Sequence, residues 1–102
     1  MQHTRLENGD RTTLEVRGEL DALTTSELRP TLNAMVAECP RHVTVDLSGL
    51  RLIDSSGVGV LVWLYKHVKA NGGQVRFVGV QDQPLLIFKL LRLDMAFDIR
   101  SF

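Results

Sequence analysis

Ile53-Asp54-Ser55-Ser56-Gly57-Val58-Gly59-Val60 joins a short apolar run to a longer one that continues as Leu61-Val62-Trp63-Leu64-Tyr65. Asp and Ser ahead of an unbroken apolar stretch start a helix. Their side-chain oxygens accept hydrogen bonds from the orphan N–H groups of a first helical turn. The segment therefore predicts a turn and then a buried helix. The helix should run to Ala70 and end at Asn71-Gly72-Gly73, where glycine supplies a left-handed cap. Its first half is apolar all round, which predicts burial on most sides. Lys66 and Lys69 lie near the end where the helix dipole favours cations.

Upstream, His42 to Leu47 reads as a short strand in which Val43, Val45 and Leu47 alternate; Ser48 to Ile53 then reads as a connection. Before it lies a helix. Thr24 and Glu27 have capping-box spacing, and Leu23 is placed to staple onto Leu28 across the cap. Leu28, Leu32, Met35, Val36 and Cys39 fall on one helical face. Pro30 removes one ladder bond and should kink this helix or delay its regular start. The chain opens as a hairpin turning at Asn8-Gly9, and residues 12–18 alternate with Leu14 and Val16 on one side.

Downstream, Gln74 to Val80 is a second buried strand. Asp82 is read as the cap of a third helix, with Pro84 in its first turn. Leu86, Leu90 and Leu93 should line its inner face, widened by Leu85, Phe88 and Leu91. A strand from Phe97 to Phe102 closes the chain. The order ββαβαβαβ predicts an α/β fold: a mixed four- to five-stranded sheet with about three helices packed against it.

The 102 residues form one domain, 1–102. Twelve basic and twelve acidic residues cancel, which removes the electrostatic footprint expected for nucleic acid or an anionic membrane. Cys39 stands alone, so neither an internal disulfide nor a cysteine zinc site is available. The N-terminus lacks a signal-peptide layout, and no apolar run approaches the ~20 residues that span a bilayer. A cytoplasmic protein without direct membrane insertion is expected.

Gly57-Val58-Gly59 opening a helix after a strand invites a dinucleotide-binding reading, but the third glycine of that motif would fall at Val62. Close approach of the helix to the sheet, or of another surface to the helix, explains two glycines better. No nucleophile elbow is present, and His3, His42 and His67 stand apart from any triad pattern. No catalytic residue and no cofactor is predicted. Ser55 and Ser56 have an ordinary reading as helix caps worth about 1 kcal/mol. They also stand where a kinase could reach, and a phosphate there adds roughly −1.5 to −2 charges that a helix N-terminus tolerates.

Gly18-Glu19-Leu20-Asp21, Val45-Asp46-Leu47-Ser48-Gly49, the Ile53 to Val60 segment, and Gly72-Gly73 ahead of Val75-Arg76-Phe77-Val78-Gly79-Val80 together resemble the STAS domain. The nearest likeness is to bacterial anti-sigma factor antagonists, and it runs from about Leu14 to Phe102. The resemblance implies partner switching. The unphosphorylated antagonist would bind an anti-sigma factor that is also a serine kinase with a histidine-kinase-like fold. Phosphorylation of Ser55, with Ser56 the alternative, would release it, and a metal-dependent serine phosphatase would reset it. By the same resemblance Asp21, Asp54, Ser56, Gly57, Val58 and Gly59 form the partner-binding segment. Family members usually carry a further helix after the last strand, here either trimmed or absent in a shorter branch; the apolar surface it would cover is then exposed or paired with another copy, which leaves self-association open. Two other readings remain. One is a STAS subunit of an ABC-type lipid transporter. The other is a nucleotide- or lipid-binding module at the Gly57/Gly59 helix start, against which the lack of nearby basic residues counts.

Overall fold

The computed structural model describes residues 1–100, with side chains described throughout except at Met95, Ala96, Asp98, Ile99 and Arg100. The elements are β1 (Gln2–Asn8), β2 (Arg11–Leu20), α1 (Thr25–Ala37), β3 (His42–Asp46), β4 (Leu50–Ile53), α2 (Ser55–Ala70), β5 (Gln74–Val78), α3 (Asp82–Leu90), α4 (Leu93–Ala96) and β6 (Asp98–Arg100). The sheet path is β1-β2-β3-β5-β6, with β4 paired to β2 beside it. Among the described residues only the β1–β2 pair is antiparallel. The expected mixed sheet and its three main helices are present. The one-turn α4 and the strand β4 were not anticipated, because four residues with a buried-exposed-exposed-buried pattern carry no period-2 signal.

Strand β2 explains where β4 fits. Its first half pairs with β3 and its end pairs with β4. The change comes at Gly18, whose φ of +94° suits only glycine comfortably, and where the ladder register shifts by a bulge. The Gly18 N–H donates to the carbonyl of Gly49 at 2.9 Å, so the β3–β4 turn is anchored at this bend.

Alternation along each strand produces two unlike sheet faces. Thr12, Leu14 and Val16 of β2, Val43 and Val45 of β3, and Val75 and Phe77 of β5 are buried on one of them. There they meet Leu28, Leu32 and Met35 of α1, Leu61, Leu64 and Val68 of α2, and Phe88 of α3. Phe77, Phe88 and Phe97 form an aromatic cluster, with Phe77 stacked on Phe97 at 4.4 Å and Phe88 edge-on to both. The opposite face carries Arg11, Thr13, Glu15, Arg17, His42, Thr44, Asp46, Gln74 and Arg76, which are half-buried or exposed. No described helix covers it.

Several local expectations are corrected. Asn8 pairs with Arg11, so the hairpin loop is Gly9-Asp10, with positive φ at Gly9 alone. Leu23 is 78% exposed and cannot staple onto the buried Leu28. Cys39 lies beyond α1, exposed and with φ +50°, rather than on its buried face. Asp82 does not cap α3: Gln81 holds the cap position without a side-chain cap bond, and Asp82 takes a left-handed φ of +56°. The inner side of α3 is Pro84 and Phe88, while Leu86, Leu90 and Leu91 are exposed. A short helix apolar nearly all round gives periodicity no face to select. Pro30 sits within α1, which continues to Ala37. The expected last strand begins at Asp98, and its final two residues, 101 and 102, lie outside the described residues.

The two glycines of α2 differ sharply. A Cβ on Gly57 would lie 2.6 Å from the Leu20 carbonyl and 2.7 Å from Ile53 Cγ1, whereas one on Gly59 would meet nothing within 4 Å. Gly57→Ala should therefore cost about 1–3 kcal/mol through overpacking, while Gly59→Ala should stabilise by about 0.5–1 kcal/mol through helix propensity. Thermal melts of the two variants should move in opposite directions.

Candidate functional site

Three chain segments meet at the end of the sheet where the parallel strands finish. The first is Glu19 to Thr24, between β2 and α1. Asp21 takes the capping role there. Its Oδ1 accepts from the N–H groups of Leu23 and Thr24, while the Thr24 hydroxyl oxygen accepts from the N–H of Asp21 and its proton serves Glu19 O or Asp21 Oδ1. This is a reciprocal capping box one turn earlier than the predicted Thr24/Glu27 pair. Thr24 itself makes no side-chain cap bond into α1. The Thr24 N–H first, then its hydroxyl and the Leu23 N–H, hold the Asp21 carboxyl below the usual aspartate range, against a smaller opposing effect of desolvation.

The second segment is Leu52 to Gly59. Asp54 has extended φ/ψ at the N-cap of α2, and its Oδ1 accepts from the Gly57 N–H at 3.0 Å. Its Oδ2 accepts from the Ala22 N–H at 3.2 Å, and its own N–H donates to the Leu20 carbonyl at 3.1 Å. One aspartate thus ties the helix start to the β2–α1 loop. The cap belongs to Asp54 and not to the serines. Ser55 and Ser56 are exposed, and neither hydroxyl makes a hydrogen bond among the described residues. Gly57 and Val58 turn inward, while Gly59 is exposed one turn along the helix.

The third segment is the start of α3. The Gln83 amide both accepts from the Ile53 N–H and donates to the Ile53 carbonyl, each at 2.9 Å. A side chain thereby takes the place of a neighbouring strand along the free edge of β4. Glu19, Leu20, Asp21, Leu52, Ile53, Asp54 and Gln83 line an open recess of about 260 Å³. Leu52, 48% exposed, adds an apolar side chain to this lining beside the carboxylates.

The structure thus brings Asp21 and Asp54 together beside Ser55 and Ser56, and it adds Glu19, Leu52 and Gln83, which sequence reasoning missed. Gln83 lies 30 residues from its partner and carries no local signal. His3 bonds Thr31 and His67 bonds the Trp63 carbonyl, far from this site. Among the described residues no group of three potential ligands could hold a metal ion, and no helix is long and apolar enough to cross a membrane.

This fold and this helix start define a STAS domain, and residues 3–100 match the family model described as "Mlab, STAS domain". Within that class the chain belongs to the anti-sigma factor antagonist family. It is 31% identical to the anti-sigma-B factor antagonist of Staphylococcus aureus over 80 residues, 78% of this chain and 74% of the relative. Two solved structures share the fold. The anti-sigma factor antagonist of Mycobacterium paratuberculosis superposes with a TM-score of 0.88 at 23% identity, covering 97% of this chain and 84% of that one. The Bacillus cell fate determinant SpoIIAA in its phosphorylated form gives 0.80 at 16% identity, covering 99% and 91%.

Two expectations follow from the site's hydrogen bonds. Asp54→Ala removes both the α2 cap and the link to Ala22, and should cost about 1–2 kcal/mol in denaturant melts. Because the folded-state pKa of Asp21 is depressed, its contribution to stability is present above the unfolded value near 3.8 and fades as pH falls through the lower folded value. Asp21→Asn should accordingly flatten the acid limb of the stability curve, as read by melts between pH 5 and pH 2.

Proposed function

We propose that this chain is a binding switch, not a catalyst, which captures an anti-sigma factor through the Asp21–Asp54–Ser55 surface and releases it when Ser55 is phosphorylated. One observation carries the reading. Asp54 supplies the cap of α2, so the Ser55 hydroxyl is exposed and without a structural task. A modification of Ser55 therefore leaves the fold's own hydrogen bonds in place. Phosphate at a helix N-terminus is tolerated by the helix dipole. The same charge within a protein interface is not: an unpaired charge buried there costs about 2–5 kcal/mol. At about 1.4 kcal/mol per tenfold, affinity falls by roughly one and a half to three and a half powers of ten. No conformational change is needed.

In this reading Gly57 and Val58 set the depth of the helix, and Asp54, Ser55, Ser56 and Gly59 present its surface. The partner is an anti-sigma factor with serine kinase activity on a histidine-kinase-like fold, so ATP belongs to the partner. A metal-dependent serine phosphatase completes the cycle in the cytoplasm. Leu86 and Leu90, one turn apart and exposed on α3, supply an apolar surface for self-association.

Affinity capture from the native host, followed by intact-mass analysis, tests the proposal. The unmodified chain and Ser56→Ala should retain a histidine-kinase-like ATPase, and Ser55→Glu should lose it by at least about tenfold. A single phosphate should map to Ser55 and be absent from Ser55→Ala. Capture of an ABC-type ATPase, with no phosphorylated fraction under any growth condition, would instead make the chain a transporter subunit.

A further inference from the structure

We propose that the opposite end of the sheet, where its parallel strands begin, carries a binding site for a phosphate-class anion formed by Arg11, His42, Thr44, Gln74 and Arg76. The pairing register places Arg11, His42 and Gln74 side by side on three adjacent strands. All three point to the open face, since their neighbours Thr12, Val43 and Val75 are buried on the other. At about 4.8 Å per strand, this row spans roughly 10 Å. The next row on the same face is Thr13, Thr44 and Arg76. Carboxylates enter these three strands only in the third row, at Glu15 and Asp46.

A recess of about 40 Å³ lies among these side chains, lined by Arg11, His42, Thr44, Gln74 and Arg76 together with Val43 and Val75. At about 10–15 Å³ for each water, that is space for a single oxyanion in place of roughly three waters. The lining offers guanidinium, amide, imidazole and hydroxyl donors, and guanidinium geometry matches phosphate. Arg11 makes no ion pair or side-chain hydrogen bond among the described residues and is available. Arg76 has an interaction of its own and lines the far side. Glu7, Asp10 and Glu38, also at this end of the molecule, line a separate recess, while Asp98 of β6 pairs in register with Arg76, so the site rests chiefly on Arg11, His42 and Gln74. This site stands apart from the Ser55 surface and does not rest on the switching proposal.

The test is an amide NMR titration of the full chain with inorganic phosphate, at ionic strength held constant with sodium chloride. Saturable shifts confined to Arg11, residues 42–44 and residues 74–76 are expected. Arg11→Gln should weaken binding by about tenfold or more. Gln74→Glu, which adds a carboxylate to the first row, should abolish it, while Glu15→Gln should preserve it. Unshifted resonances elsewhere report that each variant is folded. A parallel sedimentation with phosphatidic acid in phosphatidylcholine vesicles separates two sources of the same group: co-sedimentation points to a lipid headgroup, and its absence with the shifts intact points to a free phosphate compound. Shifts reproduced by chloride alone, or unchanged in Arg11→Gln, overturn the site.

Discussion

The Asp54 carboxylate is the point on which this end of the molecule depends. One oxygen caps α2 and the other holds the loop that leads into α1, while the backbone N–H of the same residue closes onto the end of β2. A cap that also joins two loops is costlier to lose than an ordinary one, because both ends of the connection are released together. It also leaves the hydroxyls of the next two residues free of any cap bond. Exposed serines beside a satisfied helix start are chemically available, and the division of labour between Asp54 and Ser55 leaves a hydroxyl with no cap to make at a stable corner of a small domain.

The apolar alternation of β2, β3 and β5, the buried first half of α2 and its Asn-Gly-Gly ending were legible because each is a local, periodic signal. What escaped reading was held by contacts across sequence. β4 exists because the second half of β2 is free to accept it beyond Gly18, and because Gln83 satisfies its other edge. Neither fact is visible in Leu50-Arg51-Leu52-Ile53. The α1 cap was placed at Thr24 because Thr24 and Glu27 fit the pattern, yet the observed reciprocal pair is Asp21 and Thr24, which lacks the Glu or Gln the pattern asks for and begins the turn three residues sooner. At the candidate site Asp21 and Asp54 were named from family likeness. The hydrogen bonds that join them to one loop, and the inward turn of Gly57 and Val58, required coordinates.

Charge teaches a related lesson. Equal numbers of acidic and basic residues describe the chain as neutral, but the fold sorts them. Glu19, Asp21 and Asp54 gather where the parallel strands end, and Arg11, His42 and Arg76 gather on the open face where they begin. A neutral sum therefore hides an uneven placement of charged side chains on a molecule whose longest extent is 32 Å.

Gln83 carries one more consequence. The surface beside Ser55 unites residues near 20, near 54 and at 83, and its β4 edge is closed only from the start of α3. During synthesis the Asp54-Ser55 segment leaves the ribosome well before that closing residue does. A growing chain therefore exposes the Asp54-Ser55 segment before Gln83 can close the β4 edge beside it. The shape of this surface is set by completion of the domain, not by the appearance of the motif.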